Sequence, residues 1–387
     1  MAVSLLVESP SVVPSEPKPV KAKKERLPAL SGLRILAALN IVFFHYSNPK
    51  WFGPFAPIVA NGYTSVSFFL MMSGFILAYN YEERARAGKL KAKNFWIARF
   101  SRLYPVYMLA LVVSLGMLAD EWHARTHAQF ALGMVLTPLM LQGWSPSLST
   151  FWNTPAWTMC TEAFFYMIFP VVILLRRPQR LSRLFLWMLG LWAAGMVLPS
   201  LYMYFHPDGV MHVNRYTNGF WIRALKFTPP PHVPSFMFGI ALADLDRRIR
   251  RDARIRLWMG LAGCAAVYTV LYYGDSMPFP MMHDGLLMPL FGLAILGLAG
   301  HNFLAKIFGW FPFAVAGQAS YCLYILHFNL WILIHRWHVW NDLGLARFDP
   351  WISYATLVLV AVLVMFFFEK PMQKYIRHKF LPSYERS

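Results

Sequence analysis

The chain has 387 residues, 57% hydrophobic and 14% charged, against roughly 45–50% and about 25% for a soluble globular domain. That balance excludes a soluble enzyme, a disordered or collagenous chain and a disulfide-stapled scaffold. A formal net charge of +18 would raise nucleic-acid binding in a soluble protein, so its meaning depends on where along the chain the charges fall.

Residues 1–28 are rich in Pro, Ser, Glu and Lys, end in KPVKAKKERLP and are read as a disordered basic tail. The apolar stretch Ala2 to Val7 is too short for a secretion signal and lacks a basic start, so no cleavage is expected. Apolar runs follow at 29–47, 63–80, 103–119, 157–175, 184–204, 232–244, 257–273, 285–299, 319–335 and 351–368. They are read as crossings of a hydrocarbon core about 30 Å thick. They lack the period-two alternation of barrel strands, and backbone polar groups in lipid must be satisfied within a segment, so the runs are expected to be helices. A further run, Gln129 to Leu141, is short and contains Pro138; it reads as a re-entrant or interfacial segment. Many of the 15 Trp residues lie near run ends, where amphipathic rings favour the headgroup layer. The predicted fold is an all-α polytopic transmembrane bundle of about ten spans over residues 29–370, with a basic tail at 371–387.

With this layout 28 of the 36 Lys and Arg residues fall on one side of the membrane, seven on the other, and Arg34 lies inside a span. The positive-inside rule then puts both termini in the cytoplasm, which for a bacterial chain means the cytoplasmic membrane. Contact with anionic lipid accounts for the net charge, so no nucleic-acid partner is needed. Cys160, Cys264 and Cys322 all sit in apolar runs without metal-ligand spacing, and are read as packing residues with no metal site expected.

Five segments carry residues suited to chemistry or to close ligand approach. In LSGLRILAALNIVFFHYSNP, Arg34 and His45 are eleven residues apart, almost three helical turns, and so share a face about 16 Å apart along the axis. Arg34 either faces the bundle interior or snorkels to the interface, and His45 is either reactive or held by a neighbouring carbonyl. In TPAWTMCTEAFFYMIFP, Glu162 is expected at the depth of His45, where a carboxylate would orient the imidazole as a general base, or form an ion pair that only locks two helices. In KAKNFWIARFSRLYPVY, Arg99 and Arg102 are neighbours on one helical face, with Tyr104 and Pro105 following; the two arginines either fork a phosphate or belong to a loop touching headgroups. In QASYCLYILHFNLWILIH, Ser320, Tyr324 and His327 form a polar stripe that suits a site or a helix-packing network equally. Ser73 and Gly74 in SVSFFLMMSGFILAYNY are small enough for another helix or a ligand chain to approach closely.

Taken together, LSGLRILAALNIVFFH, SVSFFLMMSGFIL, RFSRLYPVY, PAWTMCTEAFFYMIFP, SYCLYILHF and the closing FFEKP resemble, in order and spacing, the acyltransferase 3 family of multi-pass membrane acyltransferases, from Leu30 to Lys370. The resemblance implies transfer of an acyl group, usually acetyl, from cytoplasmic coenzyme A to a hydroxyl of a glycan or other acceptor. It implies His45 as the catalytic histidine, with Arg34 as its motif partner and Glu162 as a site acid. Arg99, Arg102, Tyr104 and Ser73 would face the acyl-CoA donor, and Trp157, Tyr166, Tyr324 and His327 the acceptor. Thr161 and Ala163 flank the carboxylate where members often carry a second acid, so Glu162 stands alone there. Chemistry would follow general-base attack of the acceptor hydroxyl on the thioester, or an acyl-histidine route. A transporter or exporter of a lipid-linked glycan or small molecule is the alternative for ten spans with an intramembrane charge, but no paired broken helices mark the two halves.

Overall fold

The computed structural model describes residues 27–250 and 252–383, so the tail expected over 1–28 lies almost wholly outside the described residues. All regular elements among the described residues are helical. Each of the ten apolar runs is occupied by a helix: Pro28–Tyr46, Thr64–Arg86, Ala92–Val113, Trp157–Val172, Leu181–Phe205, Val233–Arg248, Ala253–Tyr272, Met288–Leu298, Ser320–Arg336 and Trp351–Val364. Six helical segments are long and apolar enough to cross a membrane: Pro28–Tyr46, Ala92–Val113, Leu181–Phe205, Ala253–Tyr272, Phe279–Leu298 and Trp351–Phe380. A seventh is reached if Pro49–Ala60 and Thr64–Arg86, bent by 52° to one another, act as one span. The protein is a multi-pass membrane protein.

The helix Ala92–Val113 begins well before the expected run, so Arg99 and Arg102 lie within it. The doubtful 129–141 run forms the helix His127–Leu136, started by a capping box between Thr126 and Gln129. Its ten residues span about 15 Å, half a hydrocarbon core. The chain then turns back into the protein before Trp157. Thr137, Gln142, Ser149, Phe151 and Asn153 are all fully buried along this stretch. Tyr107 Oη donates to the Thr137 carbonyl at 2.5 Å, and Asn153 Nδ2 to the Ile325 carbonyl at 3.1 Å, so side chains satisfy backbone that no helix covers.

Two features tie the bundle together. Thr64–Arg86 and Val233–Arg248 cross at glycine: a Cβ at Gly74 would lie 2.1 Å from the Phe236 carbonyl oxygen, and one at Gly239 would lie 2.0 Å from that of Met71. No side chain fits there, so the backbones touch. At the end of the same pair, Glu82 bonds Arg86 at 2.7 Å and also pairs with Arg177 and Arg247. Asp244 meets Arg247 at 3.2 Å and Arg177 at 3.6 Å, and pairs with Arg248. This ion-pair cluster joins the basic segments 82–102, 176–183 and 244–256 at one end of the bundle. At the opposite end of Pro28–Tyr46, the Tyr46 ring stacks on Trp331 (4.2 Å, 9°) and its hydroxyl donates to the Phe328 carbonyl at 3.0 Å, clamping the first helix to Ser320–Arg336.

Candidate active site

A cavity of about 100 Å³, partly open to its surroundings, lies between the helices Pro28–Tyr46, Thr64–Arg86, Ala92–Val113, Trp157–Val172 and Ser320–Arg336. Its polar wall is built from Arg34, Ser73, Arg99, Arg102, Glu162 and Tyr324; Phe69, Leu70, Ile76 and Leu77 form an apolar wall.

Helical periodicity explains which side chains enter. Arg99 and Arg102 are three apart and both line the cavity. Tyr104, two residues beyond Arg102, is turned about 200° away. It is exposed, and its hydroxyl donates to the Pro138 carbonyl at 3.2 Å, which corrects its expected place beside the donor. On Trp157–Val172, Thr158, Met159, Glu162 and Tyr166 line the cavity, while Trp157 points off this face. The Trp157 indole packs instead on His232 (5.4 Å), His283 (6.2 Å) and Phe227 (5.3 Å), so it is not a wall of this cavity.

The expected Glu162–His45 pair does not form. Glu162 accepts a hydrogen bond from Tyr166 Oη at 3.3 Å, has the Ser73 hydroxyl near it, and its charge faces Arg34 and Arg102. The reason is the path of the chain: the stretch before Trp157 is folded inside the protein, where Asn153 meets the Ile325 carbonyl, so Glu162, five residues after Trp157, lies beside Arg34 and Arg102. Arg102 is held by Glu369 at 3.0 Å, and Glu369 also accepts from Cys322 Sγ at 3.1 Å. Glu369 closes a π-helical turn, Met365–Glu369, and is buried. Arg99 has no carboxylate within ion-pair distance among the described residues; its guanidinium lies over the Tyr81 ring at 4.7 Å.

His45 and His327 lie beyond the cavity lining, past Tyr324. The Tyr324 and His327 rings are 5.9 Å apart and those of His327 and His45 5.5 Å. His45 is exposed on one side and packed on the other by Phe44 and Phe328. A polar column thus runs from Arg102 through Arg34, Glu162, Tyr324 and His327 to His45. Thr158, Tyr321 and Glu369 are parts of this site whose roles sequence reasoning left unassigned. Tyr321 adjoins the polar Ser320–Tyr324 stripe, and Glu369 stands in the closing FFEKP; nothing about Thr158 marked it beyond its place after Trp157.

Three guanidinium groups beside open volume suit an anionic ligand. No solved structure matches the chain. Acyltransferase MdmB of Streptomyces mycarofaciens is 26% identical over 354 residues, covering 88% of this chain and 87% of that protein. O-acetyltransferase OatA of Staphylococcus aureus is 22% identical over 388 residues, 90% of this chain and 57% of its own length. The chain spans little more than half the length of the Staphylococcus aureus relatives it matches. The sequence model of the acyltransferase 3 family, described as an acyltransferase domain, matches residues 27–370, and the chain therefore belongs to that family.

Proposed function

We propose that this acyltransferase moves an acyl group, in the first instance acetyl, from acyl-CoA to a hydroxyl of a glycan such as an exopolysaccharide or lipid-linked saccharide. The observation that carries the reading is the polar column with three arginines at one end and two imidazoles at the other. In this reading the bundle makes ten crossings with both termini in the cytoplasm of a bacterial cell, so Arg34, Arg99 and Arg102 meet the donor's phosphates on that side. Guanidinium groups hold phosphate oxygens by charge-assisted hydrogen bonds. The thin pantetheine arm lies along the apolar wall and delivers the thioester past Tyr324 towards His45. Glu162, away from His45, keeps Arg34 and Arg102 in place and turns Ser73 and Tyr166 into the cavity.

His45 removes the proton from the acceptor hydroxyl as its oxygen attacks the thioester carbonyl; the C–S bond breaks, and the coenzyme A thiolate takes the proton from the His45 imidazolium. General-base catalysis of this kind contributes about 10²–10⁴-fold. The test is protein in liposomes supplied with acetyl-labelled acetyl-CoA and candidate glycans. His45→Ala is expected to insert normally and lose label transfer by at least about 100-fold. Full transfer by that variant removes His45 from the chemistry, and flux of glycan without transfer in the wild type replaces the enzyme with a transporter.

A further inference from the structure

His327 is fully buried, and its two ring nitrogens are in unlike situations. Nδ1 lies 2.7 Å from the Tyr324 carbonyl oxygen. A carbonyl only accepts, so Nδ1 carries the ring proton, and in the neutral imidazole Nε2 is then a bare acceptor. That nitrogen is enclosed and has no hydrogen-bond partner. Two turns along the same helix, His335 gives the comparison. Its Nδ1 meets the Trp331 carbonyl at 2.8 Å in the same manner, but its Nε2 meets Asp349 at 3.1 Å. His335 is a saturated, packing histidine. His327 is anchored alike and left with one unused lone pair.

The ring beside that lone pair is His45, 5.5 Å away and tilted by 35°. The two rings do not bond in this arrangement, but His45 is exposed on one side, and a turn of its ring about the side-chain bonds would bring a ring N–H to hydrogen-bond distance of that nitrogen. The clamp of Tyr46 on Trp331 and on the Phe328 carbonyl holds the two helices at this register. The remaining rings around the pair are Phe44, Tyr46, Tyr324 and Phe328, and none supplies a carboxylate.

We infer that His327 is the positioning residue for His45: its Nε2 accepts the His45 ring N–H and so leaves the other His45 nitrogen unprotonated towards the acceptor hydroxyl. This rests on the acyltransferase reading of His45. It fills the place that sequence reasoning gave to Glu162, with a neutral acceptor where a carboxylate was expected. Once the His45 ring has turned to make this bond and takes the acceptor's proton, its second N–H is held by His327, and the positive charge is steadied by that neutral acceptor until the thiolate takes the proton.

The experiment measures kcat and both KM values for acetyl transfer in three variants beside His45→Ala, with detergent-solubilised thermal stability as the folding control. His327→Leu and His327→Phe remove the acceptor atom, and His327→Gln restores an amide oxygen near the position of Nε2. The expected result is a kcat lowered about 30-fold or more in the Leu and Phe variants with both KM values within about twofold, and recovery of most of that loss in the Gln variant. Should Leu fail to fold, Phe and Gln carry the comparison. Wild-type kcat without the imidazole, a Gln variant as slow as Phe, or a change confined to KM each overturns the inference. An active His45→Ala protein instead overturns the reading beneath it, so the two failures are told apart.

Discussion

The ion-pair cluster around Glu82 and the cavity wall around Glu162 use the same residue types to opposite ends. At the cluster, two carboxylates meet four arginines, all within contact distance, and Glu82 and Arg177 are almost wholly excluded from solvent. At the cavity, Arg34 and Arg99 have no carboxylate within ion-pair distance among the described residues, and the hydrogen bond recorded at Glu162 comes from Tyr166. A charge that is saturated by its neighbours holds helices; a charge left half-satisfied beside open volume is available to a ligand. Membrane arginine by itself does not distinguish the two, but the partner count does.

The contrast breaks most readily at Glu82. Replacing it with Ala takes from the buried Arg177 guanidinium its nearer carboxylate and leaves only Asp244 at 3.6 Å, and loss of one buried partner costs about 3–5 kcal/mol. The expected readout is a lower melting temperature in detergent with an unchanged KM in the surviving fraction; unchanged melting would show the cluster to be surface decoration. At the cavity the pattern should invert. Arg34→Gln is expected to raise the acyl-CoA KM about tenfold or more, the worth of one charge-assisted hydrogen bond, with little change in melting. A stability loss without a KM effect would make Arg34 a structural charge like Arg177. Gly74→Ala probes packing alone: with the Phe236 carbonyl in the way, the helices must part, at a cost of about 1–3 kcal/mol read as a lower melting temperature. The smallest effect is expected of Tyr104→Phe, which gives up one exposed hydrogen bond to Pro138, worth about 1 kcal/mol or less, and leaves donor KM untouched. A raised KM there would return Tyr104 to the donor.

Much of the scaffold was legible because hydropathy writes helices plainly: each apolar run holds one. The arginine pair at 99 and 102 was legible for the same geometric reason that excludes Tyr104, since three residues preserve a face and two reverse it. The misplacement of Glu162 opposite His45 came from the path of the chain, which helical period does not encode; the inward folding of residues 137–156 sets it, and that segment has no periodic signature. Trp157 lies off this cavity through rotation, one position before the Thr158 that lines it. The helices that fall short of the span criterion are also instructive. Thr64–Arg86, Trp157–Val172 and Ser320–Arg336 are less apolar or shorter than the others, yet they supply Ser73, Glu162, Tyr166 and Tyr324 to the cavity. Polar side chains are tolerated there because they face one another instead of lipid.

The π turn at Met365–Glu369 has one more consequence. It supplies one extra residue to the turn that aims Glu369 at Arg102, so deleting a single residue within it would swing the carboxylate about 100° around the helix axis and out of reach. Length, more than chemical identity, is what natural variation should preserve in this short stretch.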